Sequence, residues 1–257
     1  MTPSVLLLNI IGGVCLLLWG LHNVRNSVQR AFGHNLHEFI ASSTKNRFQS
    51  CLSGLGITLM LQSSTATALI IAALCGSGLV TFGAGVAIML GADIGTSLLA
   101  YLFSLKITWL APMLIFVGFV VHSVYQRAGR KKHIGSLIVS LGIMLLALGW
   151  IRESTAPLSE SEAFPVILEV IERDRIMAVF VAALFTYIAH SSLATVLLLM
   201  SFSMAGLITV PLGIAMVLGA NLGGAIAPIL ATYRDKRAAL RVPVANFIMR
   251  LTGVVIA

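Results

Sequence analysis

Gln62-Ser63-Ser64-Thr65-Ala66-Thr67 interrupts an otherwise apolar run with small and polar residues, and His190-Ser191-Ser192-Leu193-Ala194-Thr195 repeats the interruption 128 positions later (190 minus 62). Aligning 62–97 with 190–225 at that offset needs no gap and gives 14 identities in 36 positions, including Ser63, Ser64, Thr67, Gly91 and Gly95. Shared hydrophobicity alone does not keep small and polar residues in register. The chain of 257 residues therefore reads as two copies of one unit, 1–128 and 129–257.

Composition places both copies in a bilayer. Hydrophobic residues make up 58% and charged residues only 10%, with a mean hydropathy of +0.98, whereas soluble domains carry nearer a quarter charged residues. The net charge of +8 sits in short loops between apolar runs rather than on one polar face, which argues against nucleic acid as partner. Cys15, Cys51 and Cys75 lie in apolar contexts without metal-type spacing and read as packing residues. The first run has no basic residue ahead of it and no small-residue cleavage site, so it reads as a membrane helix rather than a removable leader.

Apolar runs long enough to span, roughly 20 residues, are Pro3–Leu21, Leu79–Phe103, Thr108–Tyr125, Ile134–Ile151 and Gly206–Leu230, with a last one starting at Val242. Two more, about 48–75 and 176–203, are cut in the middle by the polar hexapeptides. Lys and Arg collect on the cytoplasmic side, and 22–47, 126–133 and 231–241 are basic while 151–175 is acidic. All four loops obey that rule only if each interrupted run turns back as a re-entrant hairpin. The N-terminus is then outside and the second copy inverted. The expected fold is an all-α membrane protein of two inverted-topology repeats, each with a re-entrant helical hairpin and a broken transmembrane helix. Inverted repeats are typical of secondary transporters, whose sites lie at the midplane. The amphipathic segments 22–47 and 158–175 are expected along the two interfaces.

Chemistry concentrates at two paired elements. One is the hexapeptide, where a returning helix presents free N–H groups beside Ser and Thr hydroxyls, a setting for an oxyanion. The other is Gly91-Ala92-Asp93-Ile94-Gly95-Thr96-Ser97, echoed by Gly219-Ala220-Asn221-Leu222-Gly223-Gly224. Its glycines suggest an unwound stretch whose carbonyls, with a carboxylate, suit a hard cation. Asp93 is the only carboxylate expected inside a membrane segment, and intramembrane ionisable groups are functional by default. Arg250 also falls in an apolar run, where it either attracts anions or snorkels to the interface, and snorkelling is the favoured reading.

These paired motifs resemble the type II sodium–phosphate cotransporter family, over nearly the whole chain. The resemblance implies a secondary active transporter importing inorganic phosphate with sodium by alternating access between the two hairpin tips. It implies no enzyme activity and no cofactor other than sodium as coupling ion. The expected phosphate ligands are Gln62, Ser63, Ser64, Thr65, His190, Ser191 and Ser192. The expected sodium ligands are Gln62, Thr65, Asp93, Thr96, Asn221 and Thr195. Departures from the family pattern are His190 for Gln, Leu193 for a hydroxyl residue, Asp93 for Asn and Gly224 for Thr. They leave proton-coupled or channel-like passage of another small oxyanion as the alternative. A serine hydrolase ranks low, because the adjacent His190 and Ser191 cannot form a nucleophile–base pair and no Gly-x-Ser-x-Gly elbow is present. The expected setting is a bacterial inner membrane, with lipid, phosphate and sodium as partners and room for a homodimer. Only 15 residues run from Pro243 to the end at Ala257, short of a full span and suggestive of a truncated or short family member.

Overall fold

The computed structural model describes residues 3–42, 46–105, 109–125, 129–157, 171–172 and 174–257, with side chains over 4–31 in the first of these stretches. Every regular element among them is a helix. Helix α1 (Pro3–Ser42) is followed by α2 (Arg47–Leu61), α3 (Ser64–Gly76), α4 (Phe82–Ser104) and α5 (Leu110–Val124). Then come α6 (Arg130–Thr155), α7 (Arg175–Ala189), α8 (Ser192–Met204), α9 (Val210–Thr232) and α10 (Arg237–Ile256). Five of them, within α1, α4, α6, α9 and α10, are long and apolar enough to cross a membrane.

Three element boundaries differ from the sequence expectation. The first helix does not stop at Leu21 but continues unbroken through 40 residues, about 60 Å at 1.5 Å per residue. Val24 and Val28 pack into the core, so the start of the 22–47 segment belongs to a helix long and apolar enough to span rather than to a separate interfacial arm. The arm expected over 158–175 lies almost entirely outside the described residues. The last helix starts at Arg237, with Pro243 inside it, which makes 20 residues where a count from the proline finds 15. Membrane helices tolerate an interior proline because neighbouring groups re-satisfy the freed carbonyl. Helix α5, by contrast, has only 15 residues, fewer than the run Thr108–Tyr125 suggested.

Local geometry recurs between the two halves. Helices α2 and α7 both have 15 residues, α3 and α8 both 13, and α4 and α9 both 23. At 13 to 15 residues, or roughly 20–22 Å, the α2–α3 and α7–α8 elements are each shorter than a hydrocarbon core of about 30 Å. Helix α2 packs on α4 as α7 packs on α9, while α1 and α5 both pack on α6.

The expected broken helices are continuous. Helix α4 runs through Gly91–Ser97 and α9 through Gly219–Gly224 without interruption. Thr96 Oγ1 and Ser97 Oγ turn back to donate to the carbonyls of Ala92 and Asp93, at 3.0 and 3.1 Å. The glycines serve close approach instead: a Cβ at Gly91 would collide with the Cys51 carbonyl, and one at Gly54 with that of Ile88. The second half repeats this at Gly219 and Gly223 against the carbonyls of Val179 and Ala183. Gly56, on the same helix as Gly54, has open space where a Cβ would stand, with no other atom within 4 Å. Gly54→Ala is therefore expected to cost about 1–3 kcal/mol by overpacking, whereas Gly56→Ala gains about 0.4–1 kcal/mol from the unfolded chain. Melting of the two variants in detergent checks this, and shifts of the same sign would refute the crossing.

Candidate functional site

Each hexapeptide is a helix–turn–helix junction built from the same parts. Gln62 and His190 close α2 and α7 in the left-handed region, each at φ 52°, and the Gln62 N–H donates to the Thr58 carbonyl at 2.7 Å. Ser63 and Ser191 then cap the returning helices, their hydroxyls accepting from the N–H of Ala66 (3.1 Å) and Ala194 (3.2 Å). A buried threonine pair pins each junction: Thr58 with Thr67 and Thr186 with Thr195, both at 2.9 Å. Thr67 and Thr195 also donate to the carbonyls of Ser63 and Ser191, each at 3.1 Å. With the cap and staple occupied, the N–H groups of the first two residues of each returning helix have no partner within that helix.

Arg250 on α10 ties the two halves together. Its guanidinium, whose side chain is only 3% exposed, forms an ion pair with Asp93 of α4, 23% exposed. Nε donates to Asp93 Oδ2 at 3.3 Å, and Nη2 donates to Oδ1. Nη1 donates to the Asn221 carbonyl of α9 at 2.6 Å, and Nη2 reaches Ser64 Oγ of α3 at 3.5 Å. Asp93 and Asn221 are equivalent positions of the two copies (221 minus 93 is 128), so one guanidinium bridges both. Thr65 Oγ1 donates across the same junction to the Gly224 carbonyl at 3.4 Å. A Cβ on Gly224 would stand 3.1 Å from Ser192 Cβ and 3.4 Å from Arg250 Nη1. The missing side chain lets the second tip and the guanidinium share this space.

The structure thus gathers Ser64, Thr65, Asp93, Asn221 and Ser192 around Arg250. Ser63, Ser191 and Thr195 lie at the same junctions but are engaged in holding the turns. Thr96 is bonded into its own helix, and His190 is exposed, its ring 6.0 Å from that of Tyr187. Leu193 is buried in a cluster with Leu17, Met144 and Leu197, so the second tip is anchored by apolar packing. Gln62 is 8% exposed, and its Oε1 is buried without a hydrogen-bond partner. Asn246, 2% exposed and one helical turn before Arg250, has an equally orphaned Oδ1. Buried acceptors are normally satisfied by protein, water or an ion.

Snorkelling is not what Arg250 does, which corrects the sequence expectation. Burial of a cation in this setting is tolerated because Asp93 neutralises it and oxygens from three helices accept its hydrogen bonds. A sequence signal for the pair did exist: one isolated acid and one isolated base in apolar runs are expected to find each other. Asn246 gave no comparable signal.

A family model described as Na+/Pi-cotransporter matches residues 16–153 and 157–256. The "Putative inorganic phosphate export protein YjbB" of Escherichia coli (strain K12) is 34% identical over 247 residues, which cover 96% of this chain and 45% of that protein. The Salmonella typhimurium protein of the same description matches to the same extent. The "Uncharacterized protein YqeW" of Bacillus subtilis (strain 168) is 23% identical over 243 residues, covering 94% of this chain and 78% of its own length. The chain spans less than half the length of the first two relatives. No solved structure matches significantly.

Proposed function

Because this chain belongs to the Na+/Pi-cotransporter family, we propose that it carries inorganic phosphate across a membrane, coupled to sodium, through the junction at Arg250. The observation that carries this reading is the buried guanidinium set between the two helix–turn–helix tips. Asp93 and Asn221 each stand 11 residues into a helix of 23, at about 17 Å depth, the middle of a bilayer core. A guanidinium at that depth, beside the outward N–H groups of α3 and the hydroxyls of Ser64, Thr65 and Ser192, offers a phosphate several charge-assisted donors.

Sodium has a separate set of oxygens in this scheme. Asp93 supplies the charge, and the orphaned carbonyl oxygens of Gln62 and Asn246 supply neutral ligands of the kind hard cations take. Phosphate displaces the Asp93 carboxylate from Arg250, and sodium takes the carboxylate so released. Anion and cation therefore load together. The short paired helices and the charge of the loops support an inverted, re-entrant arrangement with the N-terminus outside, and the relatives support a bacterial plasma membrane. A symport cycle runs in either direction: an inward sodium gradient drives import, while export, the activity named for the Escherichia coli relative, follows when phosphate accumulates inside.

The test is flux of labelled phosphate in proteoliposomes, imposed in both directions, with and without sodium, and with arsenate and sulfate as competitors. Sodium-stimulated flux blocked by arsenate but not by sulfate is expected; absence of phosphate flux in every condition would sink the reading. Gln62→Gly refines it. Glycine removes a left-handed strain of about 1–2 kcal/mol, so the variant should melt no lower than the parent while its apparent sodium affinity falls. A Gln62→Gly protein with unchanged sodium dependence would remove Gln62 from the ligand set.

A further inference from the structure

A second polar site lies away from this junction, between α1, α5 and α6. It is a cavity of about 320 Å³ whose lining, among the described residues, includes Arg30, His122 and His133 and no Asp or Glu. Asn23, Asn26 and Ser136 add hydrogen-bonding groups to its wall. The Asn23 Nδ2 is buried and has no partner, an unspent donor where a buried amide normally has one filled. His122 Nδ1 and Ser136 Oγ, 2.9 Å apart, hold α5 to α6 and leave the other ring nitrogen of His122 uncommitted by that bond. A pocket that combines the Arg30 guanidinium with imidazole, amide and hydroxyl groups, and has no carboxylate among the described residues, is matched to an anion.

The cavity is also polarised along its length. On α1, Trp19, Asn23, Asn26 and Arg30 fall at spacings of four, three and four residues, a single helical face. From Trp19 to Arg30 that face changes from aromatic to amide to cation over about 16 Å. Helix α5 repeats the order with Phe119 before His122, and α6 repeats it in reverse chain direction, with Val139 and Ser140 after Ser136 and His133. Trp19 and Phe119 are exposed large apolar residues at the aromatic end. The basic side chains of all three helices thus gather at one end, and Trp19, Phe119 and Val139 at the other, the distribution that a lipid with a charged head presents in complement. The basic end is formed by helical residues, Arg30 of α1, His122 of α5 and His133 of α6, the first and last of them within the two basic segments expected on the cytoplasmic side, where anionic headgroups are bound by basic pockets between helices.

We infer that this cavity is a binding site for the phosphate headgroup of an anionic phospholipid, Arg30 and His133 holding the phosphate and Trp19 with Phe119 flanking the glycerol and upper chains. The site stands apart from the transport junction, and its occupancy is measurable without any flux. The purified chain in detergent is titrated with phosphatidylglycerol, phosphatidylcholine or inorganic phosphate, and bound lipid is counted by native mass spectrometry. Phosphatidylglycerol is expected to bind in preference to phosphatidylcholine. Removing the Arg30 charge should weaken it about fivefold, and His133→Gln, which removes an imidazole donor, should also reduce binding, while Arg237→Gln, outside the cavity, does not. Asn23→Leu, which removes the orphaned donor without touching charge, should also reduce it. Equal binding of the two lipids, or a phosphatidylglycerol preference that survives both Arg30→Gln and His133→Gln, would overturn the site. Binding of free phosphate with no lipid bound would overturn the lipid as occupant and leave a phosphate site.

Discussion

Arg250→Gln is expected to abolish phosphate flux and to lower the melting temperature in detergent by on the order of 10 °C. The stability part follows from the surroundings of the guanidinium, which is almost wholly buried against Asp93 and bonded to the Asn221 carbonyl at 2.6 Å. Removing one partner of a buried pair costs about 3–5 kcal/mol, because it leaves the other charge uncompensated. The lower end applies here, since the Asp93 side chain is only partly buried. For a domain of this size about 1 kcal/mol moves the midpoint by about 2–4 °C. The functional part follows separately, because glutamine offers no charge to an oxyanion. The double variant Arg250→Gln/Asp93→Asn separates the two effects: it should recover most of the lost stability, having no buried charge, and recover no flux. Flux restored together with stability would show that Arg250 is only a brace.

How much of this arrangement was legible in the chain depended on whether the signal was local. The register of the two hexapeptides announced duplicated helix pairs, and the structure gives those pairs matching lengths and matching turns at Gln62 and His190. The caps were not read, although Ser63 and Ser191 act on N–H groups only three residues away; both serines were expected to bind phosphate instead. Glycine is ambiguous in the same reading. Gly91 and Gly95 could mark unwinding or close packing, and only the carbonyl of Cys51, on another helix, decides for packing. The isolated Asp93 and Arg250 hinted at a pair, but the further partners of Arg250, on α3 and α9, were hidden for the same reason. Two apparent defects in the family pattern acquire a shared meaning once that contact is known. Asp93 in place of Asn supplies the countercharge, and Gly224 in place of Thr opens the room the guanidinium uses. They are coupled departures rather than independent losses of ligands.

Asp93→Asn is the variant that separates binding from coupling. In the ion-paired state the Asp93 carboxylate occupies the donors of Arg250 that an oxyanion would use, so phosphate must compete with it. Asparagine keeps the shape and gives up the charge. A hydrogen bond to a charged group is worth about 1.5–3 kcal/mol, so removing this internal competitor should tighten phosphate binding by roughly ten- to a hundredfold. The same substitution removes the only charged ligand assigned to sodium. Phosphate affinity in Asp93→Asn should therefore no longer depend on sodium, and flux should fall because a tightly held anion leaves slowly. Stability should change less than in Arg250→Gln, for the remaining Arg250 cation still donates to the Asn221 carbonyl and can hold phosphate itself. Titration of phosphate binding at several sodium concentrations decides the matter. Weaker phosphate binding with the sodium response intact would mean that Asp93 merely orients Arg250, and the exchange of partners at this pair would have to be abandoned. Tighter, sodium-independent binding would make the pair a switch: closed on itself when empty, and opened only when an anion and a cation arrive to replace each half.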